Sequence, residues 1–508
     1  MRRGFSLIEL LIALMLITNA IIAAALVSYG APRMMQNAYL ELGGVDRAQA
    51  ALIHAELLAR DRFNAVESIA TTSENGYDLG LRVESTDDLT KRLISSVSWV
   101  DAGGVIQSFN YETTVTDYSN AALHPCDPFL SGDWKMPHVI DSYSLSPGAL
   151  LPTTLPSGAY SISALSIRAG VLAIAVSTTT RATDPTLFFF DISSSSTAPR
   201  FLPPAFDNAS VSRSGYTALA ANPDGFFAAN GFGSASAATC AHDELTCAQV
   251  HSFRVMNGVP ERSDSLRIPT TSPERAITTS GASAAGAALA YREDGYLYLG
   301  LQKTTAGQEL QSIDVHDPSA LRRIGGMAIG RSVNDITIAT STAYIATDDN
   351  TSSGKAVVAV DSTDPTTLYE LGSYRFPGAG YVQKVNRIGS RLYTGRSYAL
   401  GTSEEFSILD RSDSHTLTRL GGIDLGTAHS PQSVRGIIVR DFLAFVLTDS
   451  SLQLWNITNP NISASTQPYA SIPIPSGTGT AFACRGNLMY IGSVDSSGAG
   501  YLSVVSSM

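Results

Sequence analysis

The residues whose types and spacing could do chemistry are few. Glu9 is the one charge in the apolar run GFSLIELLIALMLITNAIIAAALVS, residues 4–28. Four cysteines, Cys126, Cys240, Cys247 and Cys484, permit two disulfides in an exported chain. No CxxC pair stands beside a second pair or a His partner, so a zinc centre is not expected. The eight histidines are scattered, and HExxH, GxSxG and GxxxxGK[ST] are absent. DDNTSSG (348–354) has half the look of a calcium loop but lacks a distal bidentate Glu, and reads as a solvated turn. These residues imply a protein that is not an enzyme and holds no cofactor or metal.

The elements around them are more informative. The chain has 508 residues, 44% hydrophobic and only 16% charged, with abundant Gly, Ser, Thr and Ala. That balance suits short strands and turns around a large core. A formal net charge of −11 argues against general nucleic-acid binding, which needs clustered Lys and Arg. Residues 5–28, as one helix, cover ~36 Å, enough to span a bilayer, and Arg2-Arg3 keeps the leader cytoplasmic. Apolar residues Ala48, Leu52, Ala55, Leu58 and Ala59 recur at three- and four-residue spacing, so the helix continues over 29–70, weakened at Gly43-Gly44. Alternation over 93–100 and 105–116, around Ala102-Gly103-Gly104, predicts a hairpin with Trp99 in its core. Residues 121–138, with three prolines and little periodicity, read as a linker between a stalk and small β head (29–120) and the remainder (139–508).

With those features in place, RRGFSLIELLIALMLI resembles the prepilin leader of type IV pilins and type II secretion pseudopilins. The resemblance implies that residues 1–4 are a leader, that a prepilin peptidase cuts after Gly4, and that Phe5 becomes the methylated N-terminus. It also implies that Glu9, the fifth mature residue, pairs with the Phe5 amine of a neighbouring subunit. A carboxylate in hydrocarbon costs roughly 2.5 kcal/mol or more unless paired. The charge is thus unfavourable in a lone subunit and satisfied in a filament. The helix and hairpin most resemble PilV-like minor pilins. The kinking proline of major pilins has no counterpart, since the first proline is Pro32.

From residue 139 the chain repeats itself. Seven units each read as strand, turn, strand, a third strand that often ends in Asp-Pro or Asn-Pro, and a fourth strand. Equivalent third-strand positions fall at 191, 254, 314, 361, 410, 456 and 505. Four-stranded units at that spacing predict a seven-bladed β-propeller, and the units resemble LVIVP-type propeller repeats. The last unit stops after its third strand, so 139–146 is expected to close it. The fold class is therefore mainly β, preceded by a long transmembrane helix and a small α+β pilin head.

Ser163, Thr217, Asn334, Gln383, Arg435 and Thr480 occupy one aligned position where the inner strands open, with Ala288 as the apolar exception. They are expected to line a channel mouth and bind a ligand by hydrogen bonds. CAHDELTC (240–247) lies in a long insertion expected on the same face, stiffened by a Cys240–Cys247 bond. Cys126 and Cys484 both fall at the opposite face and are candidates for a second bond. The chain reads as a minor type IV pilin of the bacterial inner membrane and then the pilus surface. Its partners would be other pilins, the peptidase, and a surface glycan or protein. A secretion pseudopilin that recognises cargo and a membrane-tethered propeller enzyme are the alternatives.

Overall fold

The structure is a computed structural model. It describes residues 7–61, 66–87, 90–116, 126–130, 132, 134–156, 158–178, 184–193, 198–207, 215–231, 248–268, 285–303, 308–339, 341–349, 354–378, 380–398, 404–413, 415–425, 430, 432–440, 442–463 and 466–507. Gly4, Phe5, Cys240 and Cys247 lie outside these, as do the side chains of Glu9 and Cys126. The chain divides into two compact units, Met1–Asp117 and Tyr118–Met508.

In the first unit a single helix, α1 (Leu7–Asp61), packs on a sheet ordered β1 (Ile69–Glu74), β2 (Tyr77–Asp87), β3 (Thr90–Val100), β4 (Ile106–Thr116). Helix α1 stops short of the expected residue 70, and β1 begins there instead. Its C-terminal half buries one stripe at helical spacing, Leu52, Ala55 and Ala59 against Leu81, Leu93 and Val115, and Ala48 against Tyr77, Val97 and Trp99. Gly43-Gly44 does not interrupt the helix. A Cβ on Gly43 would stand 2.7 Å from the Tyr77 hydroxyl, and one on Gly44 would stand 2.9 Å from the Trp99 ring. These glycines admit the sheet's aromatics, which is why they are tolerated in a helix interior at a cost of about 1 kcal/mol each. Trp99 is buried beside Tyr77, and the Tyr77 hydroxyl donates to the Leu40 carbonyl at 2.9 Å.

The N-terminal half of α1 contrasts with this. Among the described residues, no helix is long and apolar enough to cross a membrane. The described large apolar side chains there, Leu11, Ile12, Leu14, Met15, Leu16, Ile17, Ile21 and Ile22, are each more than half exposed.

The second unit is a ring of seven sheets. Blades I to VI are each four consecutive antiparallel strands, spanning 160–206, 216–266, 286–327, 333–374, 382–423 and 434–473. Their first strands, Tyr160–Arg168, Tyr216–Asn222, Gly286–Arg292, Val333–Ala339, Val382–Ile388 and Val434–Arg440, and Thr478–Gly486 of blade VII each lie against the next. The seventh lies against the first, so the ring closes. Sandwiching between neighbours explains the continuous apolar second strands, such as Leu172–Val176 and Ala343–Ala346, which are fully buried. Third strands end in Asp191, Asp314, Asp361 and Asn456. Each side-chain oxygen accepts the N–H two residues on, at 2.9, 3.2, 2.8 and 3.0 Å. The chain is thereby turned toward the outer strand.

Blade VII is built from both ends of the unit. Leu488–Val494 and Gly500–Ser506 follow its inner strand, and β6 (His138–Ser144) supplies the outer strand, paired antiparallel from Tyr501↔Ser144 to Ser506↔His138. A fifth strand, β5 (Cys126–Leu130), adds to the inner strand in parallel, with Cys126 opposite Cys484. Residues 121–138 are therefore more than a linker. Trp134 within them is buried against Phe445, edge to face at 5.2 Å, in a cluster that includes Cys484 and Val505.

Candidate functional site: the central channel

The first strands of all seven blades share one irregularity. Their pairing with the second strand slips between Ile162 and Ala164, Tyr216 and Ala218, Gly286 and Ala288, Val333 and Asp335, Val382 and Lys384, Val434 and Gly436, and Gly479 and Ala481. Each slip is a bulge with one extra residue. The extra residues are Ser163, Thr217, Ala287, Asn334, Gln383, Arg435 and Thr480. The six polar ones are those aligned by sequence. The apolar member is Ala287 rather than Ala288, because Ala288 sits beyond the bulge and packs beside Val333.

The bulge aims several of these groups at protein. Ser163 Oγ donates to the Tyr216 carbonyl at 2.5 Å. Thr217 Oγ1 donates to the Gly286 carbonyl at 2.7 Å, and Asn334 Nδ2 to the Val382 carbonyl at 2.7 Å. Each acceptor is the residue that opens the next blade. Arg435 Nε donates to Asp449 Oδ1 at 2.6 Å. Gln383 Nε2 reaches the Tyr381 hydroxyl at 3.4 Å, and Thr480 Oγ1 is buried. Only Ser163, Thr217 and Arg435 of the six line the channel, whose cavity measures about 230 Å³.

The residues after the bulge define the channel wall. Two positions on come Leu165, Leu219, Leu289, Ile336, Val385, Ile437 and Phe482, all apolar and all lining it. These large side chains meet small ones of the preceding blade one position after its bulge. Leu165 shares a cluster with Ala481, Leu219 with Ala164, Leu289 with Ala218 and Ile336 with Ala288. A Cβ on Gly436 would stand 2.3 Å from the Phe482 ring. Large-against-small packing fills the wedge between blades without voids.

Two blades break this rule. Where the other five have Ala or Gly, blade IV has Asp335 and blade V has Lys384. Both line the channel, with Lys384 Nζ 3.9 Å from Asp335 Oδ1. Asp335 Oδ2 accepts the Val385 N–H at 3.0 Å. Enclosure in the channel pushes the Asp335 carboxyl up from its ordinary value, against the opposing pull of Lys384. Among the described residues the Lys384 ammonium has no partner at hydrogen-bond distance. Two positions further, Thr337, Asn386 and Ser166 of blade I are polar members of the lining, where blades II and III have Ala220 and Ala290. The Asp335–Lys384 pair was not visible as a site by motif. The repeat alignment could have found it, as the only two charges at a position otherwise Ala or Gly.

DDNTSSG has a structural role in its described part. Asp349 accepts from Arg331 Nε at 2.9 Å and from the Lys355 N–H at 3.1 Å. Cys484 is fully buried and disulfide-bonded.

No protein-family model matches the chain, and no curated protein does. Among solved structures it is similar to the β-propeller domain of Myceliophteria thermophila Cps50 (Swd1), with 10% identity and TM-score 0.45 over 73% of this chain and 100% of that one. It is also similar to the Neurospora crassa Pan2 WD40 domain, with 11% identity and TM-score 0.45 over 75% and 98%. The AfRom2 CNH domain gives 9% identity and TM-score 0.41 over 73% and 98%. Likenesses this distant carry no argument of their own. The closed ring of seven sheets is what makes the second unit a β-propeller.

Proposed function

We propose that the chain is a minor type IV pilin that carries a β-propeller outside the cell as a binding head. The observation that supports this best is the division of α1. Its C-terminal half buries a stripe on a small antiparallel sheet, while the apolar residues Leu11 to Ile22 remain exposed. An apolar surface of that extent requires a lipid or protein cover, and residues 5–28 provide a membrane span first and a filament core afterwards. Glu9 is the assembly device. It is paired by the Phe5 amine of a neighbouring subunit once a prepilin peptidase has cut after Gly4. In this reading the chain passes from the inner membrane to the pilus surface, and the propeller binds a protein or glycan without catalysing a reaction.

Cys126 is the proposed partner of the Cys484 disulfide, on the strength of their opposed register in parallel strands. Cys240–Cys247 is proposed as the second bond.

The test is Glu9→Ala in a cell that assembles the filament. Membrane insertion and cleavage at Gly4-Phe5 should persist, while recovery of the chain in sheared filaments falls at least tenfold. Recovery equal to the parent would refute the pairing and with it the pilin role of this segment.

A further inference from the structure

The channel wall departs from its own repeat at one place, and the departure has a chemical sense. Small residues at the position after the bulge are what the wedge packing requires, and Ala164, Ala218, Ala288, Gly436 and Ala481 comply. Asp335 and Lys384 sacrifice that packing in two adjacent blades. An ion pair does not explain them. At 3.9 Å it is too long for a hydrogen bond, and a half-exposed pair contributes about 1 kcal/mol at most. Its side chains keep 23% and 36% of their surface accessible, so both face the channel space. Arg435 of blade VI is also in the lining, with its guanidinium held by Asp449 at 2.6 Å. At the position after the bulge the wall therefore holds Asp335 and Lys384 where blades VII, I, II and III keep Ala481, Ala164, Ala218 and Ala288, and Arg168 and Arg387 stand further along the same lining. Local breaks in an otherwise consistent pattern are where binding sites are expected.

We infer that this channel is a binding site for a single sugar acid, with its carboxylate on Lys384, a ring hydroxyl donating to Asp335, and its C–H face on the alanine wall. The inference rests on the binding-head reading above and names the ligand class. Size agrees, since a cavity of about 230 Å³ falls below the 300–1,000 Å³ of pockets for drug-sized ligands and suits one ring. Charge agrees as well. A neutral sugar leaves the Lys384 ammonium without a strong acceptor, and a simple anion leaves Asp335 with backbone donors alone. A sugar acid satisfies both and has an apolar face.

The test is titration of the detergent-solubilised full chain with glucuronate and galacturonate, read by calorimetry or saturation-transfer NMR, beside glucose and acetate. Saturable binding of a uronate is expected, at least tenfold tighter than glucose or acetate. Lys384→Gln should weaken it about tenfold or more, the usual scale for a lost charge-assisted hydrogen bond, and Lys384→Arg should recover most of the loss. Circular-dichroism melts of the variants establish that the propeller is intact. Uronate binding no tighter than glucose or acetate, or binding untouched by Lys384→Gln in a folded variant, would overturn the inference. Either negative leaves the Glu9 filament test standing, so failure of the ligand class and failure of the pilin role are separate results.

Discussion

Blade VII and blades I to VI reach the same four-stranded arrangement by different routes. The six contiguous blades each fold from about forty to fifty consecutive residues. Blade VII joins the last three strands of the chain to β6, and has β5 on its inner edge. A contiguous blade carries all four of its strands in one stretch of chain. Blade VII cannot lose its borrowed strands without exposing the edges of Thr478–Gly486 and Gly500–Ser506. The difference teaches that the propeller's cooperativity is concentrated at one seam, and that residues 126–144 belong to that seam.

The seam can be broken most directly at Trp134. Trp134→Ala removes a fully buried ring from the contact with Phe445, and a loss of about 3–5 kcal/mol is expected. Trp455→Ala in contiguous blade VI should cost a similar amount. Hydrogen exchange separates the two. Exchange should accelerate in both 138–144 and 500–506 for the first variant, and within 434–473 for the second. Equal exchange patterns would abolish the distinction between the two kinds of blade.

A smaller effect is expected from the disulfide. Cys484→Ser should lower stability by about 2–4 kcal/mol, since a bond to Cys126 would close a very long loop. A mass-mapped bond from Cys484 to Cys240 or Cys247 would remove the covalent part of the seam.

The smallest effect belongs to a contiguous blade. Burial pushes the Glu405 carboxyl up to about 6, with nearby Asp424 adding to the shift. The folded chain thus holds this proton more tightly than the unfolded chain. The resulting penalty is present at neutral pH and fades as pH falls through about 6 toward the ordinary value near 4.5. Gln249 has the corresponding place in blade II, its side-chain oxygen accepting the Ile268 N–H at 2.6 Å, as Glu405 accepts the Leu425 N–H at 2.8 Å. Glu405→Gln should therefore stabilise blade V by about 1–2 kcal/mol at pH 7 and by little at pH 4. A stability gain that is the same at both pH values would contradict the burial argument.

The fold was legible where its rules repeat. Asp-Pro and Asn-Pro turns, paired strand patterns and a missing fourth strand in the last unit all stand in the sequence. The head was less so. Asn75-Gly76 between β1 and β2 is a hairpin signal, with both residues at positive φ, and it lies beyond the helix expected over 29–70. β5 and Trp134 left no periodic trace, because one short strand with Pro125 before it and Pro128 within it looks like any connecting segment. The channel residues show a subtler limit. Alignment found the bulged position, but the slip in pairing decides that Ser163, Thr217 and Asn334 reach the next blade's carbonyl. No residue type marks such a slip.

The two-ended seam also has a consequence for biogenesis. A chain that emerges from a ribosome or a translocon N-terminus first presents β5 and β6 early, yet their partners in 478–506 follow more than three hundred residues later. The ring therefore stays open until those residues have emerged, which keeps the polypeptide threadable through a narrow pore.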